Sequence, residues 1–338
     1  MNWDGKIAAD EQLGVGAGAS LVSRLSSLLD HQKRTWPLLA QGYESLSRGE
    51  MRPVEMDGTR VFVQHNPGRV RSTGAAVDIA SVEARPCFLC PANLPPEEKG
   101  IEYGDGHVIL CNPFPVLDRH LSIVCKEHAP QQIAGNLPLL LELAHDLSPD
   151  YFVLYNGPEC GASAPDHFHL QACSRSIFPL EAALATGDAP PVPHCDMCEE
   201  TVANYFELFT INDSGRSAIV FRAGNWTALA AWMKKTLDQL GSHAGKEEPP
   251  VNIIATYDQA IWTVFMFPRK RHRPGCFYAE GEEKILVSPG AIDMAGVLVA
   301  PERDHFLKLD ADLIRRIYSE VSLDEGEVNG VLETVCSE

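Results

Sequence analysis

Short apolar runs broken by turn residues fill the middle of the chain, and their lengths predict strands. Residues 107–112, 120–125 and 151–155 are compact apolar runs, whereas residues 167–172 alternate between polar and apolar positions. Between the second and third runs, residues 130–147 carry leucines at helical spacing, which predicts an amphipathic helix. The order strand, strand, helix, strand, loop, strand, with hairpin-like connections, favours an antiparallel sheet with a helix packed on it.

Similar patterns continue on both sides of this region. Residues 21–43 have the apolar spacing of a helix, and residues 61–64 form a short strand candidate. Beyond residue 200 the pattern predicts strands over 218–222, 251–257, 261–268 and 296–300, and helices over 225–240 and 310–321. Strands and helices are therefore mixed along the chain, which predicts an α+β protein.

Composition and charge restrict the kinds of molecule that the chain can bind. The chain has 338 residues, 45% of them hydrophobic and 22% charged, with a formal net charge of -18. Such an acidic chain is a poor partner for nucleic acid or an anionic membrane. No apolar run approaches the roughly 20 residues of a membrane span, and no signal-peptide pattern opens the sequence. Ten cysteines that include two C-x-x-C pairs, without such a signal, lead us to expect a cytoplasmic protein.

The stretch from residue 156 to residue 171, N-G-P-E-C-G-A-S-A-P-D-H-F-H-L-Q, has the strongest chemical character. On its predicted strand, His167, His169 and Gln171 point to one face, while Phe168 and Leu170 point to the other. Two imidazoles and an amide beside a loop of small residues favour a chemical site. Two alternate histidines taken alone would also fit the polar face of an edge strand.

Two cysteine pairs have the spacing of a metal knuckle. Cys87 and Cys90 could bind zinc from one tight turn, although a redox pair or two buried thiols fit the spacing equally well. Cys195 and Cys198 form the second pair, and the lack of clear partner histidines favours an ordinary loop there.

Basic residues are few and grouped. Arg69 and Arg71 follow an Asn-Pro-Gly turn, and residues 269–273 (R-K-R-H-R) form the most basic run of the chain. Each group could be simply solvated, or could contact a phosphate or sugar phosphate. His120 carries no such signal, and we expect it to lie in the core or on the surface.

Three motifs together resemble the histidine-triad superfamily: H-x-H-x-Q after a small-residue loop, C-x-x-C upstream, and K-E-H before a helix. The similarity is to its nucleotidyltransferase branch, which includes galactose-1-phosphate uridylyltransferase, diadenosine tetraphosphate phosphorylase and GDP-hexose phosphorylase. The run C-N-P-F-P-V-L-D-R-H-L-S-I-V resembles that family's strand-turn-strand, and N-G-P-E-C-G-A-S its phosphate loop. The resemblance implies antiparallel sheets with packed helices in two tandem repeats. We expect an N-terminal helical extension (1–55), a catalytic domain (56–200) and a degenerate second domain (201–338).

The resemblance also assigns roles to residues. It makes His169 the nucleophile that accepts a nucleoside monophosphate, and Gln171 a hydrogen-bond donor to the phosphoryl oxygens. Ser163 would also contact phosphate, and Asn156 would help to shape the loop. Apart from the resemblance, the charge on a transferring phosphoryl group needs donors, which the N–H groups from Gly157 to Ala162 and either Arg69 or Arg71 could supply. In this sequence one extra residue separates Ser163 from His167, compared with the family's G-x-S-x-P-H.

A structural zinc is implied in the same way, held by Cys87, Cys90, His128 and His167. The function that follows is a nucleotidyltransferase or phosphorylase that acts on a nucleoside diphosphate sugar or a dinucleoside polyphosphate. Phosphate or a sugar phosphate would be the acceptor, and a homodimer is possible. A nucleotide hydrolase of the same fold, or a zinc-stabilised nucleotide-binding protein without turnover, are the alternatives.

Overall fold

A ten-stranded antiparallel sheet and a three-stranded sheet organise the fold. The computed structural model describes residues 1–16, 18–56, 59–74, 78–197, 202–246 and 248–337. Its strands are β1 (Glu50–Glu55), β2 (Arg60–His65), β3 (Gly100–Tyr103), β4 (His107–Cys111), β5 (Leu121–Cys125), β6 (Tyr151–Asn156), β7 (His169–Ser174), β8 (Val192–Met197), β9 (Phe206–Asp213), β10 (Arg216–Ala223), β11 (Val251–Asp258), β12 (Ile261–Pro268) and β13 (Val297–Ala300).

Helices surround the sheets, and none in the described ranges is long and apolar enough to cross a membrane. They are α1 (Asp10–Leu13), α2 (Leu21–Thr35), α3 (Pro37–Ser47), α4 (Val70–Thr73), α5 (Ile79–Glu83), α6 (Leu137–Asp146), α7 (Pro179–Thr186), α8 (Trp226–Ala244), α9 (Gly275–Tyr278), α10 (Ala291–Met294), α11 (Arg303–Lys308), α12 (Ala311–Val321) and α13 (Glu325–Ser337). The predicted α+β class is confirmed.

The large sheet has the order β3-β4-β5-β7-β6-β11-β12-β10-β9-β8. Counted inward from each edge of the sheet, the first three strands of each half follow one another as they do in the chain. The last two strands of each half are exchanged, so that β7 comes before β6 and β12 before β11. A helix joins the third strand to the fourth in both halves, α6 in the first and α8 in the second. This is the arrangement that two tandem repeats predict, although their common origin stays a prediction.

Each face of the large sheet buries a separate apolar core. On one face, α2, α6, α8 and α13 pack on residues such as Ile109, Leu170 and Phe221. On the other face, the small sheet and α7, α10, α11 and α12 pack on Phe152, Phe265 and their neighbours. Because both faces are covered, the strands read as continuous apolar runs in the sequence.

The small sheet joins distant parts of the chain. β1 and β2 pair antiparallel, and β13 adds to β2 in parallel, with Val297 opposite Phe62. β6 and β11 also pair, with Asn252 opposite Asn156, so the large sheet is continuous across the expected boundary at residue 200. The division into ranges 1–55, 56–200 and 201–338 stays a prediction.

Local structure departs from the sequence-based elements at three places. The expected helix over 21–43 is two helices, because Pro37 disfavours a helical conformation at Trp36 and begins α3 instead. The expected helix over 130–147 begins only at Leu137. The last strand of the first half begins at His169, since the Phe168 N–H donates to the Ala129 carbonyl outside the sheet ladder.

Candidate active site and metal centre

The candidate site lies at the start of β7, on the face of the large sheet that carries the small sheet. Phe168 and Leu170 point into the helix-covered core, so His169 and Gln171 point to the other face. There they line a cavity of about 710 Å³ to which both halves of the chain contribute residues. The alternation read from the sequence therefore places both side chains together, as expected.

His169 is held in one tautomer. Its Nδ1 lies 2.9 Å from the carbonyl oxygen of His167, which can only accept, so Nδ1 carries the proton. Nε2 keeps its lone pair and makes no hydrogen bond within the described residues. Burial lowers the pKa of His169 to about 4, which keeps the imidazole neutral at neutral pH. A buried neutral imidazole with one free lone pair is a competent nucleophile.

Gln131 fixes the backbone at His169, a role that the sequence analysis did not predict. Its Oε1 accepts from the His169 N–H at 2.8 Å. Its Nε2 donates to the carbonyl oxygens of His169 and Asn156, at 3.0 and 2.9 Å. Gln131 is only 1% exposed, so it joins the ends of β6 and β7 from the protein interior. A glutamine between two predicted elements has no sequence pattern that would single it out.

His120 orients the amide of Gln171, although we expected it to be an ordinary core or surface residue. Its Nδ1 accepts from the Val116 N–H at 3.2 Å, so Nε2 carries the proton and donates to Gln171 Oε1 at 2.7 Å. Burial and then the charge of Arg69 lower the pKa of His120 to about 3, which keeps it neutral. With its oxygen occupied, Gln171 directs its NH₂ group to the cavity.

Asn156 is oriented in the same way by the second half of the chain. Its Oδ1 accepts from Asn252 Nδ2 and from the Ala291 N–H, both at 2.8 Å. Its own Nδ2 makes no hydrogen bond within the described residues, and Asn156 lines the cavity. Two amides thus present donors to the same space, which suits an anionic ligand.

Cationic groups line the same cavity in this acidic chain. Arg69 donates from Nη1 to the Phe114 carbonyl at 2.7 Å, while its buried Nε has no hydrogen-bond partner within the described residues. Arg273 donates to Ser288 Oγ at 3.0 Å and also lines the cavity. Arg71 belongs to α4, and its side chain lies outside the described part of the structure. Guanidinium groups at a cavity wall suit an anionic ligand such as a phosphate.

The basic run at 269–273 divides between two roles. Arg269 is 2% exposed and donates to Val321, Pro289 and Asn252, so it is a core residue and no clamp. His272 and Arg273 line the cavity that contains His169. Only the end of the run therefore reaches the site.

Only some residues of the small-residue loop before His167 line the cavity. Ser163 lines the cavity, and its carbonyl oxygen accepts from Arg85 Nη2 at 3.1 Å. Gly157 does not line the cavity, because its N–H donates to the Val251 carbonyl at 3.0 Å. The N–H groups of Cys160 and Ala162 both donate to the Gly157 carbonyl. The loop N–H groups therefore mainly hold the loop itself, and Gly157 packs it closely against β11.

The residues expected to bind zinc come together. Ligand atoms of Cys87, Cys90, His128 and His167 all lie within 4.8 Å of one another. Cys87 Sγ lies 3.3 Å from His167 Nδ1, and Cys90 Sγ lies 3.3 Å from His128 Nδ1. Two cysteine sulfurs and two imidazole nitrogens are a donor set that zinc takes in structural sites. It is the only such group of three or more metal-binding side chains in the described ranges.

The tautomer of His167 suits metal binding. Its Nε2 donates to the Cys125 carbonyl oxygen at 2.8 Å, which leaves the Nδ1 lone pair for a metal. Around the group, Arg85 pairs with Asp166 at 3.1 Å, and Asp166 lies 3.9 Å from His128 Nε2. Because Arg85 also binds the Ser163 carbonyl, the metal group and the phosphate loop share one supporting contact.

Within the part of the chain that the structure describes, Cys195 belongs to no comparable group. His194 Nε2 lies 3.2 Å from Thr210 Oγ1, and Cys195 packs against the helix-covered core. Cys198 lies outside the described residues. The expectation of an ordinary loop at Cys195 and Cys198 therefore stays a prediction.

Comparison with known proteins identifies the fold. One family model, "Domain of unknown function (DUF4922)", matches residues 28–174, and another, "GDPGP1-like, C-terminal domain", matches residues 207–338. The crystal structure of yeast Ap4A phosphorylase Apa2 in complex with Ap4A is similar over 86% of this chain and 97% of its own, with 17% identity and a TM-score of 0.55. The chain therefore has the fold of yeast Ap4A phosphorylase Apa2.

Two further solved structures are similar to the chain. Yeast Apa2 without a named ligand has 15% identity and a TM-score of 0.56, over 85% of this chain and 96% of its own. An ADP-glucose phosphorylase from Arabidopsis thaliana with bound ADP-glucose has 14% identity over 81% of this chain and all of its own. Its TM-score of 0.35 is too low to carry weight. No curated protein matches the chain. The resemblance read from the motifs is confirmed for this nucleotidyltransferase fold.

Proposed function

We propose that this protein is a nucleotidyltransferase of the phosphorylase type. It takes a nucleoside monophosphate from a nucleoside diphosphate sugar or a dinucleoside polyphosphate and passes it to phosphate or a sugar phosphate. The observation that carries this proposal is the state of His169. Its Nδ1 proton is bound to the His167 carbonyl, and its Nε2 lone pair is unused within the described residues at the wall of the cavity.

The reaction has two displacements. Nε2 of His169 attacks the α-phosphorus, and the bond to the bridging oxygen breaks, so the sugar phosphate or nucleotide leaves with that electron pair. An anionic oxygen of the acceptor then attacks the same phosphorus. The phosphorus–nitrogen bond breaks, and its electrons return to Nε2. The covalent intermediate splits one difficult transfer into two easier ones.

The groups around His169 match the charge that develops on the phosphoryl oxygens. Gln171, Asn156, Arg69 and Ser163 all line the cavity, and the side-chain oxygens of Gln171 and Asn156 already accept hydrogen bonds, which leaves their NH₂ groups as donors. Preorganised donors of this kind stabilise the transition state without reorganising during the reaction. Arg71 is a further candidate for phosphate contact, whereas Gly157 would act indirectly by shaping the loop.

Gln171 favours transfer over hydrolysis. In hydrolytic members of the superfamily that this sequence resembles, a third histidine stands at this position. An amide cannot act as an acid or base near neutral pH, so it cannot help to activate water. An acceptor that is already an anion needs no such help. The hydrolase alternative therefore has less support than transfer.

Zinc fits the cysteine and histidine group as a structural cofactor. Bound there, it would supply a rigid link between the Cys87–Cys90 turn and His167. His167 stands two residues before His169 and provides the carbonyl that holds the nucleophile's proton. The four ligands thus position His169 through the backbone and take no part in the displacement.

Trapping of the intermediate tests the proposal. The protein is incubated with pooled nucleotide sugars and dinucleoside polyphosphates, without acceptor, and its intact mass is measured. We expect an added nucleoside monophosphate that maps to His169 and is absent from His169→Ala, while His243→Ala, a distant exposed position in α8, retains it. Tight nucleotide binding without any adduct would contradict the proposal and favour a binding protein without turnover.

A further inference from the structure

Asp166 is the residue by which this chain exceeds the family's G-x-S-x-P-H spacing. With Pro165 in the place of the motif's proline, Asp166 is the extra residue and stands directly before His167. A tight turn takes it up, because the His167 N–H donates to the Ala164 carbonyl at 3.2 Å. Proline is favoured at the second position of such a turn, since its ring fixes the φ angle that the turn needs. The turn therefore absorbs Asp166 between the phosphate loop and the first histidine of the motif.

Arg85 connects this aspartate to the phosphate loop. Its Nη2 donates to Asp166 Oδ1 and to the Ser163 carbonyl, both at 3.1 Å. The side chains of Arg85 and Asp166 are 25% and 20% exposed, so water screens their ion pair only in part. The ring of Phe88 lies beside the guanidinium, with 4.9 Å between Arg85 Cζ and the ring centroid. Arg85 is thus held from two sides, and it holds the carbonyl of Ser163, a residue that lines the cavity.

Both members of this ion pair lie beside the metal group. Arg85 stands two residues before Cys87, the first sulfur of the group. Asp166 Oδ2 lies 3.9 Å from His128 Nε2, while His128 Nδ1 faces the Cys90 sulfur at 3.3 Å. A carboxylate beside the non-ligating nitrogen of a metal-binding histidine commonly orients that ring. The ion pair is therefore attached to the metal ligands at both of its ends.

We propose that Arg85 and Asp166 are positioning residues that couple the metal group to the phosphate loop, an inference that rests on the structural zinc of the proposed function. Binding of one metal by the four ligands fixes the Cys87 turn and the His128 ring relative to each other. The ion pair passes this constraint to the Ser163 carbonyl. Metal loading should then order the loop, and loss of either side chain should make the loop insensitive to the metal while all four ligands remain.

Hydrogen–deuterium exchange of the phosphate loop tests this coupling. Exchange is followed by mass spectrometry in the zinc-loaded and the chelator-treated forms of the wild type, Asp166→Ala and Arg85→Gln. In the wild type, zinc should slow exchange of the peptides that cover residues 157–163 about tenfold, because opening of the loop then breaks a charge-assisted hydrogen bond. In both variants the effect of zinc on these peptides should be less than about twofold.

Two more variants and a spectrum separate coupling from general damage. Arg222→Gln is the matched control, because Arg222 of β10 pairs with Glu207 at 3.0 Å and lies 5.6 Å from the Tyr205 ring centroid. Its loop should respond to zinc like that of the wild type. Arg85→Lys keeps the charge and one donor nitrogen, and it should restore part of the response. Cobalt in place of zinc should give the absorption of a tetrahedral site with two sulfur ligands in every variant, since the four ligands are unchanged.

Equal responses of the loop to zinc in the wild type, Asp166→Ala and Arg85→Gln would overturn the proposal, as would a wild-type loop that does not respond. If the chelator-treated protein unfolds, the zinc-loaded forms decide. The loop should then exchange about tenfold faster in Asp166→Ala than in Arg222→Gln, and equal rates would contradict the coupling. The measurement needs neither nucleotide nor turnover, so a missing His169 adduct would refute the proposed transfer and leave the coupling measurable.

Discussion

Replacing His120 by phenylalanine should slow nucleotide transfer, because it releases the amide of Gln171. In the native structure His120 Nε2 donates to Gln171 Oε1 at 2.7 Å, and its Nδ1 is fixed by the Val116 N–H. If the Gln171 amide were flipped, its NH₂ group would face the Nε2–H of His120. The hydrogen bond would be lost and two buried donors would face each other.

The size of the effect follows from that contact. An unsatisfied buried donor costs about 1–3 kcal/mol, so the flipped amide is populated at roughly a tenth to a hundredth of the native one. Phenylalanine removes this preference. Complete loss of one transition-state donor costs about 10²- to 10³-fold in rate, which sets the upper limit. Equal populations leave half of the amides correctly oriented, so we expect His120→Phe to slow formation of the His169 adduct by at least about twofold and by no more than that upper limit.

Rapid-quench kinetics at saturating nucleotide donor measure that rate, and thermal unfolding is recorded in parallel. Tyr43→Phe is the matched control, because Tyr43 Oη accepts from the backbone N–H of His120 at 3.1 Å. It removes a hydrogen bond at the same residue and leaves the contact between His120 and Gln171 intact. If both variants slow adduct formation equally, His120 does not position Gln171 and this reasoning is wrong.

Three further outcomes concern the metal, the loop and acid stability. Purified protein should contain about one zinc per chain, and a chelator or Cys90→Ser should lower its melting temperature; an unchanged melting temperature after metal removal would contradict the zinc assignment. Gly157→Ala should destabilise by about 1–3 kcal/mol in urea unfolding, because a Cβ there would lie 2.9 Å from the Val251 carbonyl oxygen, whereas Gly106→Ala, with nothing within 4 Å, should not. Folding lowers the pKa of His120 from 6.5 to about 3, so the unfolded chain binds this proton first as pH falls. Wild-type stability should therefore fall below pH 6.5, more steeply than that of His120→Phe, and equal slopes in urea unfolding would contradict the assignment.

The strands and the chemical site were predictable because both follow local patterns. The alternation at residues 167–172 fixes which side chains share a face, and the apolar runs mark strands covered on both sides. The grouping of Cys90 with His128 was predictable only through the resemblance, since His128 lies 38 residues from Cys90 in the chain. Trp36-Pro37 did carry a signal for a helix break, which the apolar spacing over 21–43 obscured.

Contacts between distant segments were not predictable from local patterns. The parallel pairing of β13 with β2 joins residues far apart in the chain, and no spacing rule indicates it. Arg269 reads as part of a solvated basic run, yet it is buried and donates to the carbonyl oxygens of Pro289 and Val321 from two other segments. His120 and Gln131 likewise acquire their roles only from the hydrogen bonds that the tertiary fold brings to them.

The partition of products tests transfer through His169 most directly. The protein is incubated with a nucleotide sugar, with and without inorganic phosphate, and mononucleotide and nucleoside diphosphate are quantified over many turnovers. We expect nucleoside diphosphate when phosphate is present, and without it no more mononucleotide than about one equivalent per enzyme, because the amide of Gln171 cannot activate water. Continuous release of mononucleotide without any acceptor would show a hydrolase and contradict the account.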